Sequence, residues 1–314
     1  MFGKDMNTRA AFGETVLAYA REHDNVVFVG GDSIGSMGLT KMETEMPDRA
    51  YNMGIAEQDT MGVASGMAAT GKKVVVGGFA PFVTMRAIEQ FRTFIAYPNL
   101  DVMVAGGMGG MSASTEGVTH QGLEDYGIMR MIPNTVVAIP CDAESTHEIV
   151  KALLAHKGPS YVRLGKMPFK KVYEEGEFKF EIGKANLMRE GSDAAIIACG
   201  AVIPNAILAC EALEKEGVHV RLINMASVKP IDKEAVIDAA KQTGAIVTVE
   251  DHQINGGLGS AVAEVLVENV PVPMKRLGIP DCFTQSGEHY ALIDYYGMSV
   301  EDIVAAVKET IARK

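Results

Sequence analysis

Short apolar runs alternate with longer amphipathic segments along almost the whole chain, and this alternation constrains the fold more than any other feature. Residues 25–30 (NVVFVG), 74–76, 100–105, 135–139 and 160–164 read as buried strands. Segments 9–21, 55–70, 84–97, 124–131 and 143–156 read as the helices between them, with Thr8 as the first N-cap. The order then resumes. Strands are predicted at 193–199, 219–225, 245–250 and 272–277, with helices at 202–216, 232–243, 258–267 and 299–312. Strands alternating with helices build right-handed β-α-β units and mainly parallel sheets. The expected fold class is α/β, with two doubly wound domains.

Between the two blocks the periodicity stops. The stretch KMPFKKVYEEGEFKFEIGKANLMREGSD is rich in lysine and glutamate and reads as an interdomain linker with a short strand or two. This divides the chain into a domain at 1–168, a linker at 169–188 and a second domain at 189–314. A length of 314 residues is enough for two cores. The net charge of −11 argues against a nucleic-acid binder, which needs a basic face. No apolar run is long enough to span a bilayer, and MFGKDMNTRA lacks the apolar stretch of a secretory leader, so a cytoplasmic protein is expected. Cys141, Cys199, Cys210 and Cys282 are far apart and form no C-x-x-C pair, which reads as small core residues in a reducing compartment. The histidines show no ligand-like spacing, and no metal is assigned to this chain.

In open parallel sheets, ligands sit beyond the carboxyl ends of the strands. The loops there carry Asp32, Ser36, Phe79, Phe82, Glu116, His120 and Arg163. The segment 106–122 (GGMGGMSASTEGVTHQG) has no helical period and reads as an exposed loop outside the core. Its His120 is either an ordinary loop histidine or a proton shuttle. Phe79 and Phe82 are either core or a platform for a heterocycle. Arg163 is either paired to an interdomain acid or a ligand for a phosphate or sulfonate, which a guanidinium grips bidentately. Glu57 opens a helix of small residues, 55–70. It is either a first-turn acid, worth a few tenths to about 1 kcal/mol, or a buried carboxyl. The glycines of GGLG at 256–259 read as a structural turn in preference to a phosphate cradle.

Five segments in order, GIAEQ at 54–58, EGVTHQG at 116–122, IPNTVVAIPCDAES at 132–145, GPSYVRLGK at 158–166 and VEDHQINGGLGSAVAEVL at 249–266, resemble the transketolase family. More narrowly, the chain resembles the C-terminal subunit of a split transketolase, made of a pyrimidine-binding domain and the transketolase C-terminal domain. The resemblance implies a thiamine diphosphate cofactor and two-carbon ketol transfer from a ketose phosphate, or a modified ketose, to an aldose. It gives Glu57 a catalytic role, sharing a proton with N1′ of the cofactor's aminopyrimidine. A carboxyl in an apolar pocket suits that task because desolvation holds its proton. The shared proton favours the tautomer that activates the thiazolium C2, and the cofactor then carries the hard chemistry. By the same resemblance Phe82, with Phe79, stacks on the pyrimidine. His120 handles substrate hydroxyl protons. Glu116 stands where the family has Asp, and Arg163, Arg9 and Ser36 bind the substrate phosphate.

Two departures stand out. Split transketolases commonly place a histidine where this chain has Met108, so a donor contact is missing and the sugar is expected to be non-standard, including a sulfonated one. The family's G-D-G signature for Mg²⁺ and diphosphate is also absent, since the chain reads Gly31-Asp32-Ser33. The resemblance then implies that an N-terminal partner subunit holds Mg²⁺, that this chain is inactive alone, and that the two assemble as an α2β2 heterotetramer. The glycine-rich loop and the small-residue helix are the expected contact surfaces. Three alternatives remain: a 1-deoxyxylulose-5-phosphate synthase-like subunit, a 2-oxo acid dehydrogenase β-like subunit, and a non-catalytic assembly subunit.

Overall fold

Apolar runs buried along their full length need cover on both faces, and helices supply it. The computed structural model describes residues 3–314. Its strands are β1 (Gly3–Met6), β2 (Val26–Gly30), β3 (Ala50–Asn52), β4 (Lys73–Phe79), β5 (Val102–Gly107), β6 (Val136–Ala138) and β7 (Ser160–Arg163). There follow β8 (Phe169–Lys171), β9 (Asn186–Arg189), β10 (Ala194–Cys199), β11 (Val220–Asn224), β12 (Ser227–Lys229), β13 (Ile246–Gln253) and β14 (Met274–Ile279). One sheet has the order β12-β6-β7-β5-β4-β2-β3 and the other β14-β13-β10-β11-β9, while β1 and β8 form a separate pair. Each larger sheet is parallel apart from one edge strand, β12 in the first and β9 in the second. Patterning missed three short strands, β1, β3 and β12, and β12 departs most from the expected topology. It lies in the second half of the sequence yet joins the first sheet, and three residues are too few to show a period.

Local chemistry fixes the helix starts. Asn7, not Thr8, caps the first helix: its Oδ1 accepts from Arg9 N at 2.9 Å and Ala10 N at 3.3 Å. Thr8 becomes the first helical residue, and its hydroxyl accepts from Gly165 N at 3.0 Å. Asp142 and Ser145 form a capping box on the helix Ala143–Ala155. The other oxygen of Asp142 accepts from Val172 N and Tyr173 N, both at 2.8 Å. With Tyr173 and Phe178 buried, the charged stretch 169–188 is bound down along the body of the protein. The helix expected at 84–97 is wound more loosely. Ala87 N bonds to Phe82 O and Tyr97 N to Arg92 O, an i to i+5 spacing on either side of the short α turn Ile88–Gln90. No helix among the described residues is long and apolar enough to cross a membrane.

Two expectations fail. Cys282 is exposed, while the other three cysteines are buried. The loop 106–122 is not an exposed loop, because Met108, Met111, Ser112, Ala113 and Ser114 are buried and Met111–Glu116 forms a tight helical turn. The second domain packs over it. Met111 N donates to Asp251 Oδ1 at 3.1 Å, and Ser114 Oγ donates to Gly287 O at 2.7 Å. Gly110 has φ 59°, and any Cβ there would collide with the Asp251 carboxylate. Ser114 adopts φ 59°, ψ −120°, a region costly for a residue with a Cβ. Much of this loop is therefore covered by its own chain, and Thr115, Glu116 and Thr119 are the residues it leaves exposed.

Arg163 crosses the same seam. Its guanidinium pairs with Asp125 at 3.0 Å and donates to Asp251 O and Gly122 O, each at 2.5 Å. Tyr161 donates to Asp125 Oδ2 at 2.5 Å, and Tyr126 donates to Glu250 Oε2 at 2.5 Å. Glu250 then accepts from Leu258 N at 2.6 Å and Gly259 N at 2.7 Å, so a carboxylate fills the helix N-terminus at the GGLG turn. Beside it, His252 Nε2 accepts from Gly127 N at 3.1 Å and its Nδ1 donates to Gln253 O at 2.6 Å.

Burial pushes the His252 imidazole down to about 4 and the Glu250 carboxyl up to about 7. A histidine depressed on folding contributes stability that is complete above its unfolded value near 6.5 and is lost as pH falls toward 4. The raised carboxyl acts oppositely, so only a difference between variants isolates the histidine. The stability gap between the parent protein and His252→Gln, from urea unfolding, is expected to narrow by about 2 kcal/mol from about pH 7.5 to about pH 5. Parallel pH profiles would show that His252 is not held neutral.

Candidate active site

The carboxyl ends of the first sheet open on a cleft of roughly 450 Å³. Ser36 comes from the turn Gly35–Met37 after β2, and Phe79 is the last residue of β4. Met108 follows β5, Lys166 follows β7, and Glu116 and His120 come from the pinned loop. Arg9 enters from the first turn of the helix Thr8–Glu22. Five residues named from sequence, Arg9, Ser36, Phe79, Glu116 and His120, thus line one cavity.

Its charges are arranged unevenly. Arg9 Nη2 donates to Lys166 O at 3.2 Å, while Arg9 Nε is buried without a partner. Burial pushes the Arg9 guanidinium down, and the charge of Glu116 pulls it back up. Lys166 Nζ pairs with Glu116 Oε1. Two cations against one carboxylate leave a surplus positive charge and an unused donor, the chemistry of an anion subsite. Met108 adds an apolar part to the lining and holds φ 60°, an uncommon backbone for a side chain of its size.

His120 joins the cleft to a second group of residues. Its ring centroid lies 6.1 Å from Phe79 and 5.5 Å from Phe82. Phe82 in turn lies under the guanidinium of Arg86, 4.5 Å from ring centroid to Cζ. Arg86 Nη1 donates to Glu57 Oε2 at 2.6 Å. Glu57 is the first residue of the helix Glu57–Ala69, and its side chain is only 13% exposed. A nearly buried carboxylate and a half-buried aromatic face therefore stand one planar group apart, and that group is a cation. A carboxylate that can accept an N–H and an aromatic face that can stack on a planar ring are the two features that a planar N–H-bearing heterocycle would need. Phe79 lies one step further, at the cleft.

Arg163 is corrected. It does not line the cleft, and its two terminal nitrogens are engaged by Asp125, Gly122 and Asp251 at the domain seam, the interdomain pairing that sequence left open, while its Nε is buried without a partner. Burial alone would lower its pKa, and the surrounding Asp125 and Asp251 charges raise it instead. The cation that reaches the cleft is Lys166, three residues on. It was visible in GPSYVRLGK but carried no signal of its own, because strand alternation and the turn at Gly165 decide which basic side chain turns outward. Arg86 was likewise unmarked.

Family models bear on the same two halves. Residues 4–171 match the transketolase pyrimidine-binding domain and residues 183–303 the transketolase C-terminal domain. The chain belongs to the transketolase family, with the domain content of a split transketolase's C-terminal subunit. It is 39% identical over 305 residues to an apulose-4-phosphate transketolase subunit of Phocaeicola vulgatus, covering 97% of each chain. It is 38% identical over 306 residues to 6-deoxy-6-sulfo-D-fructose transketolase subunit SqwH of a Clostridium species, covering 98% of this chain and 95% of that one. A solved structure described as a split gene transketolase, inactive beta4 tetramer, superposes with a TM-score of 0.90 at 38% identity, covering 99% and 100% of the two chains. The chain is thus a transferase-family subunit, and the family is one that uses thiamine diphosphate.

Removing one partner of a buried ion pair costs about 3–5 kcal/mol, because the other charge is stranded. Arg163→Ala is expected to lose that much in urea unfolding. Lys166→Ala, at the cleft edge, should lose no more than about 1 kcal/mol. Equal losses would contradict the division between seam and cleft.

Proposed function

We propose that this chain contributes the pyrimidine side and the substrate cleft of a two-subunit transketolase in the cytoplasm, and that an N-terminal subunit contributes Mg²⁺ and the diphosphate site. The observation that carries this is the continuity of Glu57, Phe82, His120 and Arg9 along one edge of the sheet. The missing G-D-G supports a partner-held metal. The relative described as an inactive β4 tetramer supports inactivity of this chain alone, and the active assembly proposed here is an α2β2 heterotetramer.

When bound, thiamine diphosphate supplies the carbon that accepts and passes on the two-carbon unit. Glu57 holds a proton against N1′ of the pyrimidine, and Phe82 supports the ring face. His120, half-buried beside both phenylalanines, moves a proton at the substrate hydroxyl. Arg9 and Lys166 bind an anionic end of the sugar, Ser36 adds a hydroxyl donor, and Glu116 orients Lys166 and accepts from a sugar hydroxyl. The relatives' names specify a sugar phosphate and a sulfonated sugar, both with an anionic end. Met108 offers that sugar no hydrogen bond, which favours a ketose lacking a hydroxyl at the facing carbon.

The test is ketol transfer from xylulose 5-phosphate and from a sulfonated ketose to an aldose phosphate, with this chain, the partner, or both. Turnover with both alone supports the proposal, and turnover with this chain alone contradicts it. Glu57→Gln should lower kcat by about 100-fold or more. Lys166→Ala should raise KM for the anionic sugar about 10- to 100-fold with kcat little changed, as expected for a lost hydrogen bond to a charged group.

A further inference from the structure

Arg86 stands between the two residues assigned above to the pyrimidine ring. Its Nη1 donates to Glu57 Oε2 at 2.6 Å, and its Cζ lies 4.5 Å from the Phe82 centroid. The Glu57 side chain is 13% exposed and that of Arg86 48% exposed. The carboxylate is therefore fixed in the protein while the cation reaches it from the solvent side. Among the described residues, the Arg86 side chain makes this one ion pair and this one ring contact. Its position follows from the loosely wound turn Phe82–Arg86, which sets Arg86 over the ring four residues before it.

A guanidinium and a ring-protonated aminopyrimidine share their recognition chemistry. Both are planar, both carry a delocalised positive charge, both present an N–H to a carboxylate, and both stack on an aromatic face. A ring seated on the same Glu57 oxygen and the same Phe82 face would compete with Arg86 for both. We propose that Arg86 is a placeholder for the cofactor's pyrimidine: it pairs Glu57 and covers Phe82, and the incoming ring displaces it toward solvent. This rests on the assignment of Glu57 and Phe82 to the pyrimidine. The placeholder avoids a nearly buried carboxylate with no partner, which would be destabilising. It also yields readily, because half-exposed ion pairs and cation–π contacts are weak. A more deeply buried arginine would hold the site closed, and no arginine would leave Glu57 unpaired.

The experiment is calorimetric titration of thiamine diphosphate, with Mg²⁺, into the assembled two-subunit complex. It compares the parent, Arg86→Ala, Arg86→Lys, Glu57→Gln and the Glu57→Gln/Arg86→Ala pair. Arg86→Ala is expected to tighten Kd about three- to tenfold, with Arg86→Lys between it and the parent, because lysine keeps the charge without the planar fork. Glu57→Gln is expected to weaken binding and to abolish the gain from Arg86→Ala. If Glu57→Gln weakens binding but Arg86→Ala leaves it unchanged or weaker, the placeholder is wrong while the pyrimidine assignment stands. If Glu57→Gln leaves binding unchanged, the assignment is wrong and the placeholder falls with it.

Discussion

A guanidinium removed from water at the junction of the two sheets is the contact on which the rest of the molecule depends. Arg163 brings together Asp125 from the first domain's surface helix, the Asp251 carbonyl from β13 and the Gly122 carbonyl at the end of the loop 106–122. None of these partners is optional, because an unpaired charge at this depth would be strongly destabilising. Asp251 uses its side chain to hold Met111 N, and Ser114 reaches Gly287, so the loop is fastened at three points by residues outside it. That loop carries Glu116 and His120. The C-terminal domain, which contributes no residue to the cleft itself, thus acts as the support that keeps the cleft residues in place. A loop with Met108 and Ser114 at positive φ stays in that shape only when its surroundings over-determine it.

Much of the fold could be read from the sequence because parallel strands are nearly continuous apolar runs and their helices carry a clear period. Val26–Gly30 and Ala194–Cys199 illustrate this, each buried at every position. What could not be read has identifiable physical causes. Strand β12 is three residues long and pairs across domains, so neither period nor neighbourhood marks it. The loop 106–122 looked like chain outside the core because Gly is its commonest residue, yet Gly110 is what lets the Asp251 carboxylate of the second domain approach closely. Composition reports polarity, and it does not report what covers a segment.

The site shows the same division. Glu57, His120, Phe79, Phe82, Arg9, Ser36 and Glu116, all named from the sequence, lie along one continuous surface. Arg163 does not, and the reason is geometric. Along β7 the side chains alternate, and Arg163 turns into the seam while Lys166, past the Gly165 turn, reaches the cleft. Two basic residues three apart look equivalent in sequence, yet the Arg163 side chain is 8% exposed at the seam and that of Lys166 is 26% exposed at the cleft. Arg86 is a similar case. An arginine beside a glutamate reads as a surface ion pair, and only its position over Phe82 sets it apart from the other surface pairs.

On the proposed reading, the cleft takes an anionic sugar and the neighbouring Glu57 and Phe82 take a pyrimidine, which makes this chain half of an active site. The most direct measurement is a structure of the two-subunit complex with thiamine diphosphate and Mg²⁺. The expected result is a pyrimidine ring lying on Phe82 with its N1′ within hydrogen-bond distance of Glu57, the diphosphate and metal held by the other subunit, and Arg9 and Lys166 facing the open end of the cleft. A pyrimidine seated on other residues, or a diphosphate held by this chain, would contradict the account.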